Sequence, residues 1–254
     1  MRGLNGKAAI VTGGAAGIGL VICQRLVEEG CTVGIFDINA AGAETAAASI
    51  GGDKVHAVAC DITDYDGVKA VITEFEGKAG RPVDILINNA DWDHWAFFTK
   101  TEPSLWDKII SINLKGPLNT LHVVLPGMAE RKAGKVVNIA SDAARNGSSG
   151  EAVYSATKGG LVALTKTLAR EMATKGISLN VVCPGPTETG LLTAVAEDSG
   201  MGEKLLDAFA KATPMRRLGR VEDLPGAVAF LASDDADFIT GQVISVSGGL
   251  SMNG

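Results

Sequence analysis

Seven short apolar runs, separated by stretches of helical spacing, recur along this 254-residue chain and limit its fold more than any other feature. They lie at residues 7–12, 32–37, 55–61, 84–90, 135–141, 178–185 and 242–247. Most are apolar without interruption rather than alternating, the pattern of strands covered on both faces. Strands of that kind, alternating with helices, predict an α/β fold: a doubly wound parallel sheet of about seven strands with helices on both faces. Ile18, Val21, Ile22 and Leu26 form one helical stripe, ended by Gly30 before the second strand. Longer helices are expected over 103–131 and 152–175. No linker or repeat divides residues 1–254, so a single domain is expected. The longest irregular stretch, 186–202, follows the sixth strand, and a lid over a ligand is expected across about 186–213.

Composition narrows the function classes. Apolar residues make up 46% and charged residues 20% of the chain, which excludes a disordered or coiled-coil protein. Glycine is enriched, with 32 residues, so many positions need positive φ or close backbone approach. The net charge of −6, with no basic block, argues against nucleic acid as a partner. No run approaches the roughly 18 apolar residues of a membrane span, and residues 1–7 lack the apolar core of a secretion signal. A cytoplasmic protein with no membrane partner is expected. Cys23, Cys31, Cys60 and Cys183 show no metal-binding spacing and read as small buried hydrophobes, so no metal is expected.

Between the first strand and helix stands Thr-Gly-Gly-Ala-Ala-Gly-Ile-Gly, residues 12–19. Gly13, Gly17 and Gly19 allow a tight turn, close approach of a pyrophosphate to backbone N–H groups, and close helix–strand packing; Ala16 and Ile18 complete the loop. The helix start then faces the anion. Asp37, 18 residues beyond Gly19, closes the second strand, where a carboxylate can accept hydrogen bonds from an adenosine ribose and repel a 2′-phosphate. NAD is therefore the expected cofactor, with Ile38 beside the ribose. Asp61 and Ile62, ending the third strand, are placed to hold the adenine.

These residues, with Asn88-Asn89-Ala90, Asn113, Ser141, Tyr154-Ser155-Ala156-Thr157-Lys158 and Pro184-Gly185-Pro186, resemble the short-chain dehydrogenase/reductase family over residues 6–249. The resemblance implies a Rossmann-type fold in which Asn89 and Ala90 flank the cofactor, and Pro184, Gly185, Thr187 and Thr189 line the nicotinamide. It also implies that Asn113, Ser141, Tyr154 and Lys158 form a catalytic tetrad. One position departs: the family usually has Gly after Asn-Asn-Ala, and this chain has Asp91, which puts the local cofactor geometry in question.

Tyr154 and Lys158, four residues apart on a helix, project from one face and can act as a unit. Bringing a phenol from its usual pKa near 10 to about 7 takes roughly 4 kcal/mol of preference for phenolate. An ammonium about 5 Å away supplies roughly 3 kcal/mol at an effective dielectric of about 20. Lysine together with a cationic nicotinamide is thus expected to make Tyr154 acidic enough to act as a base. Ser141 would hold the substrate oxygen, and Asn113, by the resemblance, a water leading from Lys158 to solvent.

Trp92, Trp95, Phe97 and Phe98 follow the fourth strand and suit a ring or compact apolar group. His94 in that stretch reads as a polar pocket or surface residue. Several longer stretches, among them 98–103, 140–154, 181–189 and 245–254, resemble the 2-hydroxycyclohexanecarboxyl-CoA dehydrogenases within the family. That branch implies oxidation of a cyclic β-hydroxyacyl-CoA during anaerobic breakdown of alicyclic and aromatic acids. Expected substrate contacts are Trp92, Trp95, Phe97, Ser141, Arg145 and Tyr154. Lys100, Arg216, Arg217 and Arg220 are further candidates for the coenzyme A phosphates. Alternatives are a 3-oxoacyl-thioester reductase, a general secondary-alcohol dehydrogenase, or a catalytically silent cofactor-binding subunit. The resemblance also implies a homotetramer built through the two long central helices and the C-terminal strand.

Overall fold

The computed structural model describes residues 1–252; the last two residues of the 245–254 stretch lie outside it. Seven parallel strands, each at an expected run, form one sheet: β1 (Ala8–Thr12), β2 (Thr32–Asp37), β3 (Val55–Ala59), β4 (Ile85–Asn88), β5 (Gly134–Ile139), β6 (Ile177–Pro184) and β7 (Val243–Val246). Their order is β3-β2-β1-β4-β5-β6-β7. Pairing register runs from Ala8 opposite Thr32 to Thr12 opposite Phe36, and from Ala9 opposite Ile85 to Val11 opposite Ile87. The order reverses between β1 and β4, and a crevice opens there at the carboxyl ends of the strands.

Period-two alternation divides the core into two layers. Ala9, Val11, Val33, Ile35, Ile85 and Ile87 face α1 (Gly17–Glu28), α2 (Ala40–Ile50) and, late in the chain, Pro225–Ala232. Ala8, Ile10, Phe36, Leu86 and Val136 face the other side, against α3 (Tyr65–Ala79), Gly116–Arg131 and the C-terminal half of Ala152–Met172. The α1 stripe buries Ile22, Cys23 and Leu26 and ends at Gly30 (φ +91), where a Cβ would stand 2.3 Å from the Asn5 side-chain oxygen.

The helix expected over 103–131 is continuous, as α4 (Pro103–Ile110), a π-helical turn at Ser111–Lys115 that sets Asn113 inward, and α5 (Gly116–Arg131). After β5, α6 (Ala143–Asn146) and α7 (Ala152–Met172) follow. One expectation is corrected: the stretch 186–202, expected to be irregular, contains α8 (Gly190–Asp198), which Thr189 caps by accepting from the Leu192 N–H, and α9 (Glu203–Ala212) follows it. The last helix is α10 (Pro225–Ala232).

A chain of buried amides and hydroxyls joins the layers beneath the crevice. Thr120 of α5 donates to Asn88 Oδ1 (2.6 Å), Asn88 Nδ2 to Asn138 Oδ1 (2.9 Å), and Asn138 Nδ2 to Thr165 Oγ1 of α7 (2.8 Å). Asn138 is fully buried, so losing it leaves polar partners dry. Asn138→Ala is expected to lower unfolding free energy by about 2–4 kcal/mol in urea titration. A loss below about 0.5 kcal/mol would show that this chain holds nothing together.

Candidate active site

The glycine loop is pressed against the segment leaving β4. Gly13 (φ +62) donates its N–H to the Phe36 carbonyl at 2.7 Å. A Cβ there would stand 2.7 Å from the Ala90 Cα, and one on Gly19 would stand 2.1 Å from the Gly13 carbonyl oxygen. Thr12 Oγ1 accepts from the N–H groups of both Asn89 and Ala90, each at 3.0 Å, while Asn89 Nδ2 donates to the carbonyls of Thr12 and Gly13. Ala16 opens α1 without a side-chain cap, leaving first-turn N–H groups available to an anion. The donor set and the cradle without side chains fit a dinucleotide pyrophosphate. Asp37 accepts from the Ala15 N–H (3.1 Å) and the Asn39 N–H (2.9 Å), tying loop and β2 together, and exposed Ile38 stands beside it. Asp61 accepts from the Thr63 N–H and hydroxyl, each at 2.8 Å. Ile62 is buried against Gly116, its carbonyl held by Asn119.

Tyr154 and Lys158 lie one turn apart near the start of α7, both buried. The lysine donates to the Ile139 carbonyl at 3.1 Å and stands 5.4 Å from the centre of the phenol ring. Asp91 comes between their polar ends. Tyr154 OH donates to Asp91 Oδ2 at 3.1 Å, and Lys158 Nζ lies 3.4 Å from the same oxygen. The expectation of an acidic phenol is thereby corrected for the free chain. Burial, then the charges of Asp91, Glu151 and Asp93, push Tyr154 well above its ordinary range. The ammonium's charge is shared with a carboxylate. Asp91 itself is in ordinary backbone; among the described residues, the non-glycines with positive φ are Lys132 and Arg216.

Asn113 is fully buried, and its amide closes a reciprocal pair with the backbone of Trp92, donating to its carbonyl (2.6 Å) and accepting from its N–H (3.0 Å). Its amide positions the loop after β4. Ser141, just beyond β5, accepts from the Ala143 N–H at 3.1 Å where α6 begins.

The loop after β4 folds down on the start of α7. Ala96 donates its N–H to the Gly150 carbonyl, and Trp95 its indole N–H to the Ser149 carbonyl at 3.0 Å. Lys108 of α4 stands 3.6 Å over the Trp92 ring, Trp95 packs on Phe97, and Phe98 stacks on Trp106. Between loop and helix remains a cavity of about 10 Å³ that includes Asp93, Phe98, Leu105, Ile109, Glu151 and Tyr154 in its lining. That is about the least space that holds one water.

Comparison with known proteins agrees with this geometry. Residues 13–251 match a family model described as Enoyl-(Acyl carrier protein) reductase, of the adh_short_C2 type. The chain belongs to the short-chain dehydrogenase/reductase family. It is 38% identical to Nodulation protein G of Azospirillum brasilense (96% of this chain, 98% of that one) and 39% identical to an acetoacetyl-CoA reductase of Rhizobium meliloti (96% and 98%). A solved 3-ketoacyl-(acyl-carrier-protein) reductase from Brucella melitensis, complexed with NADH, superposes with a TM-score of 0.90 at 34% identity, covering 98% of this chain and 100% of that one. This short-chain dehydrogenase is an NAD(P)-dependent oxidoreductase acting on hydroxyl and keto groups.

Around that centre, Pro184 ends β6 and Gly185 donates its N–H to the Val246 carbonyl, with no room for a Cβ beside Ser247. Thr187 is buried against Gly219, and Thr189 is spent capping α8. His94 reaches Asp198 of α8 at 2.7 Å, joining the loop after β4 to the helical segment expected to form the lid. Arg145 donates from its guanidinium to the Ser245 hydroxyl (2.9 Å), which donates to Asp142 (2.5 Å), fastening α6 to β7. Arg217 pairs with Asp223, and Arg216 donates to the Lys211 carbonyl at 2.5 Å.

One residue near the centre carried no signal in the sequence. Asp93 is buried, and neither of its oxygens finds an aligned donor. Burial and the neighbouring carboxyl of Glu151 push Asp93 up to about 8. A carboxyl in an aromatic loop looks solvated until the fold sets it against α7. Because its folded pKa lies above its unfolded value, the folded state binds more protons between about pH 4 and 8. Stability should therefore fall as pH rises through that window. Asp93→Asn removes the charging cost, so thermal melts should show the variant gaining about 1–2 kcal/mol on wild type at pH 8.5 relative to pH 5. Parallel melting curves across that range would refute it.

Proposed function

We propose that this enzyme interconverts β-hydroxyacyl and β-oxoacyl coenzyme A thioesters with NAD(H), and that its substrate pair is 2-hydroxycyclohexane-1-carboxyl-CoA and 2-ketocyclohexane-1-carboxyl-CoA. The observation that carries the chemistry is that Tyr154 and Lys158 are buried one turn apart, beside a backbone cradle fit for a dinucleotide. Bound NAD supplies the hydride acceptor in oxidation and NADH the donor in reduction. Ser141 holds the substrate oxygen, and Tyr154 exchanges a proton with it: the phenol gives the proton as a ketone is reduced, and phenolate takes it as an alcohol is oxidised. Lys158 orients the cofactor ribose and lends positive charge, and Asn113 keeps the loop after β4 in place. Gly13, Ala16, Gly17, Ile18 and Gly19 take the pyrophosphate. Asp61, Ile62, Asn89, Ala90, Pro184, Gly185, Thr187 and Thr189 line the remainder of the cofactor site.

Asp37 supports NAD over NADP, since its carboxylate stands where a 2′-phosphate would come and residues 38–45 contain no Lys or Arg. Trp92, Trp95 and Phe97 support a cyclic acyl group. Reduction of a linear 3-oxoacyl thioester is the second reading, favoured by similarity to an acetoacetyl-CoA reductase and a 3-ketoacyl-(acyl-carrier-protein) reductase. Both readings share one reacting unit, a hydroxyl or ketone β to a thioester carbonyl. The proposed setting is cytoplasmic breakdown of alicyclic and aromatic acids; among the described residues no helix is long and apolar enough to cross a membrane. A silent subunit fits poorly with an intact set of Asn113, Ser141, Tyr154 and Lys158.

Steady-state turnover of cyclic hydroxyacyl-CoA, linear 3-hydroxyacyl-CoA and free secondary alcohols, each with NAD and NADP, tests this reading. The cyclic thioester with NAD is expected to give the highest kcat/KM, and Tyr154→Phe to lower it by about 10²-fold or more without loss of NADH binding. A free alcohol turned over best, with no thioester activity, would remove the proposal.

We also propose a homotetramer. The outer faces of α5 and α7, with Tyr65, frame a groove of about 480 Å³ whose lining includes Leu118, Leu121, Leu125, Leu164, Leu168 and Met172. Covering it would remove a sizeable apolar surface from water. Sedimentation equilibrium should give four times the chain mass, and Leu118→Glu with Leu168→Glu should reduce it to dimers or monomers. A wild-type monomer at micromolar concentration would exclude the assembly.

A further inference from the structure

Asp91 occupies a position where the family usually has Gly, and its carboxylate meets the two buried groups on which proton transfer depends. Oδ2 accepts from the Tyr154 hydroxyl at 3.1 Å and lies 3.4 Å from the Lys158 ammonium. Accepting a hydrogen bond from a phenol favours the phenol over the phenolate, as does a negative charge beside it. Drawing the lysine into an ion pair weakens the one positive charge that favours phenolate. Both effects have the same sign.

We propose that Asp91 is a direction-determining residue: it holds Tyr154 in the proton-donating form, so that near neutral pH the site is set for ketone reduction and the oxidative direction needs alkaline conditions. In reduction the phenol proton passes to the substrate oxygen as hydride arrives from NADH, giving alcohol and phenolate, and the phenolate regains a proton from solvent. In oxidation the hydroxyl proton must go to a phenolate that Asp91 disfavours. The proposal rests on the dehydrogenase reading above.

Other charged groups around Tyr154 act in the same direction or are committed elsewhere. From the loop after β4 comes Asp93; from the start of α7 comes Glu151; both charges oppose phenolate. Lys158 alone opposes them, and it also donates to Ile139. Asp142, after β5, is held by Ser245, and His94 is engaged with Asp198. Asp91 differs from Asp93 and Glu151 in touching both Tyr154 and Lys158. Its side chain is 27% exposed, so water reaches it, whereas Asp93 is buried.

The chain contains two tyrosines, which makes the phenol directly readable. Tyr65 lies on the outside, bonded to His122, and Tyr65→Phe leaves Tyr154 as the single source of tyrosinate absorbance. In that background, without substrate, the wild-type phenol should stay protonated until alkaline unfolding. Asp91→Gly should titrate at least about one unit lower than its Asp91-containing parent, and Asp91→Asn should fall between. The pH–rate profile for alcohol oxidation should move to lower pH by the same amount, with the rate of ketone reduction near neutrality changed less. Unchanged titration in both folded variants would overturn the proposal. A shifted titration without any dehydrogenase activity would instead overturn the functional reading and leave the role of Asp91 in holding the proton intact. Far-ultraviolet circular dichroism and NADH binding establish that each variant is folded; should Asp91→Gly fail to fold, the Asp91→Asn titration decides alone.

Discussion

Strand order reverses between β1 and β4, and the clamp across that reversal fixes everything placed around it. Thr12 accepts two backbone N–H groups from the segment leaving β4, and Asn89 returns two hydrogen bonds to the segment leaving β1. The crevice of a doubly wound sheet therefore has a defined width here, and the glycine loop and the proton-transfer centre are set on its two sides. A side chain at Gly13 would push Ala90 outward, and Asn89, Ala90 and Asp91 are consecutive. The spacing of the nucleotide cradle from the phenol is thus a backbone property.

The polar chain below the clamp transmits that spacing to the helices. Thr120, Asn88, Asn138 and Thr165 run from α5 through two strands to α7, the helix that bears Tyr154 and Lys158. An apolar core in the same place could be dense and still let α7 slide or rotate, because dispersion contacts have little direction. Hydrogen bonds in a dry interior do have direction, and a shift would leave amides unsatisfied. The π-helical turn between α4 and α5 serves the same end. It brings Asn113 inward, so that the loop after β4 is gripped at Trp92.

The seven strands and the glycine loop were legible in the sequence because they depend on patterns local to a few residues: unbroken apolar runs, and glycine where a Cβ has no room. Helix boundaries were less so. The π-turn at Ser111–Lys115 arises from a tertiary demand on Asn113, and α8 depends on the Thr189 cap, a single side chain inside a stretch that otherwise reads as loop. The contact of Arg145 with Ser245, about a hundred residues away, was not legible, because a cation near a pocket looks the same in sequence whatever it meets. Asp93 and Asn138 gave no signal, since their burial is made entirely by elements distant in the chain.

Tyr154 shows where reasoning from residue types alone fails even when the residues are right. The pairing of a phenol with a lysine one turn away supports an acidic tyrosine only if no other charge takes part. In the folded chain three carboxyls, from Asp91, Asp93 and Glu151, act on the phenol against one ammonium, and burial adds to their effect. A positive cofactor ring would oppose them, and in the free chain it would have to act against a hydrogen bond from the hydroxyl to Asp91 as well as against a field. Asp91 belongs to the same segment after β4 as the aromatic residues, so any movement of that segment bears directly on the contact between carboxylate and phenol.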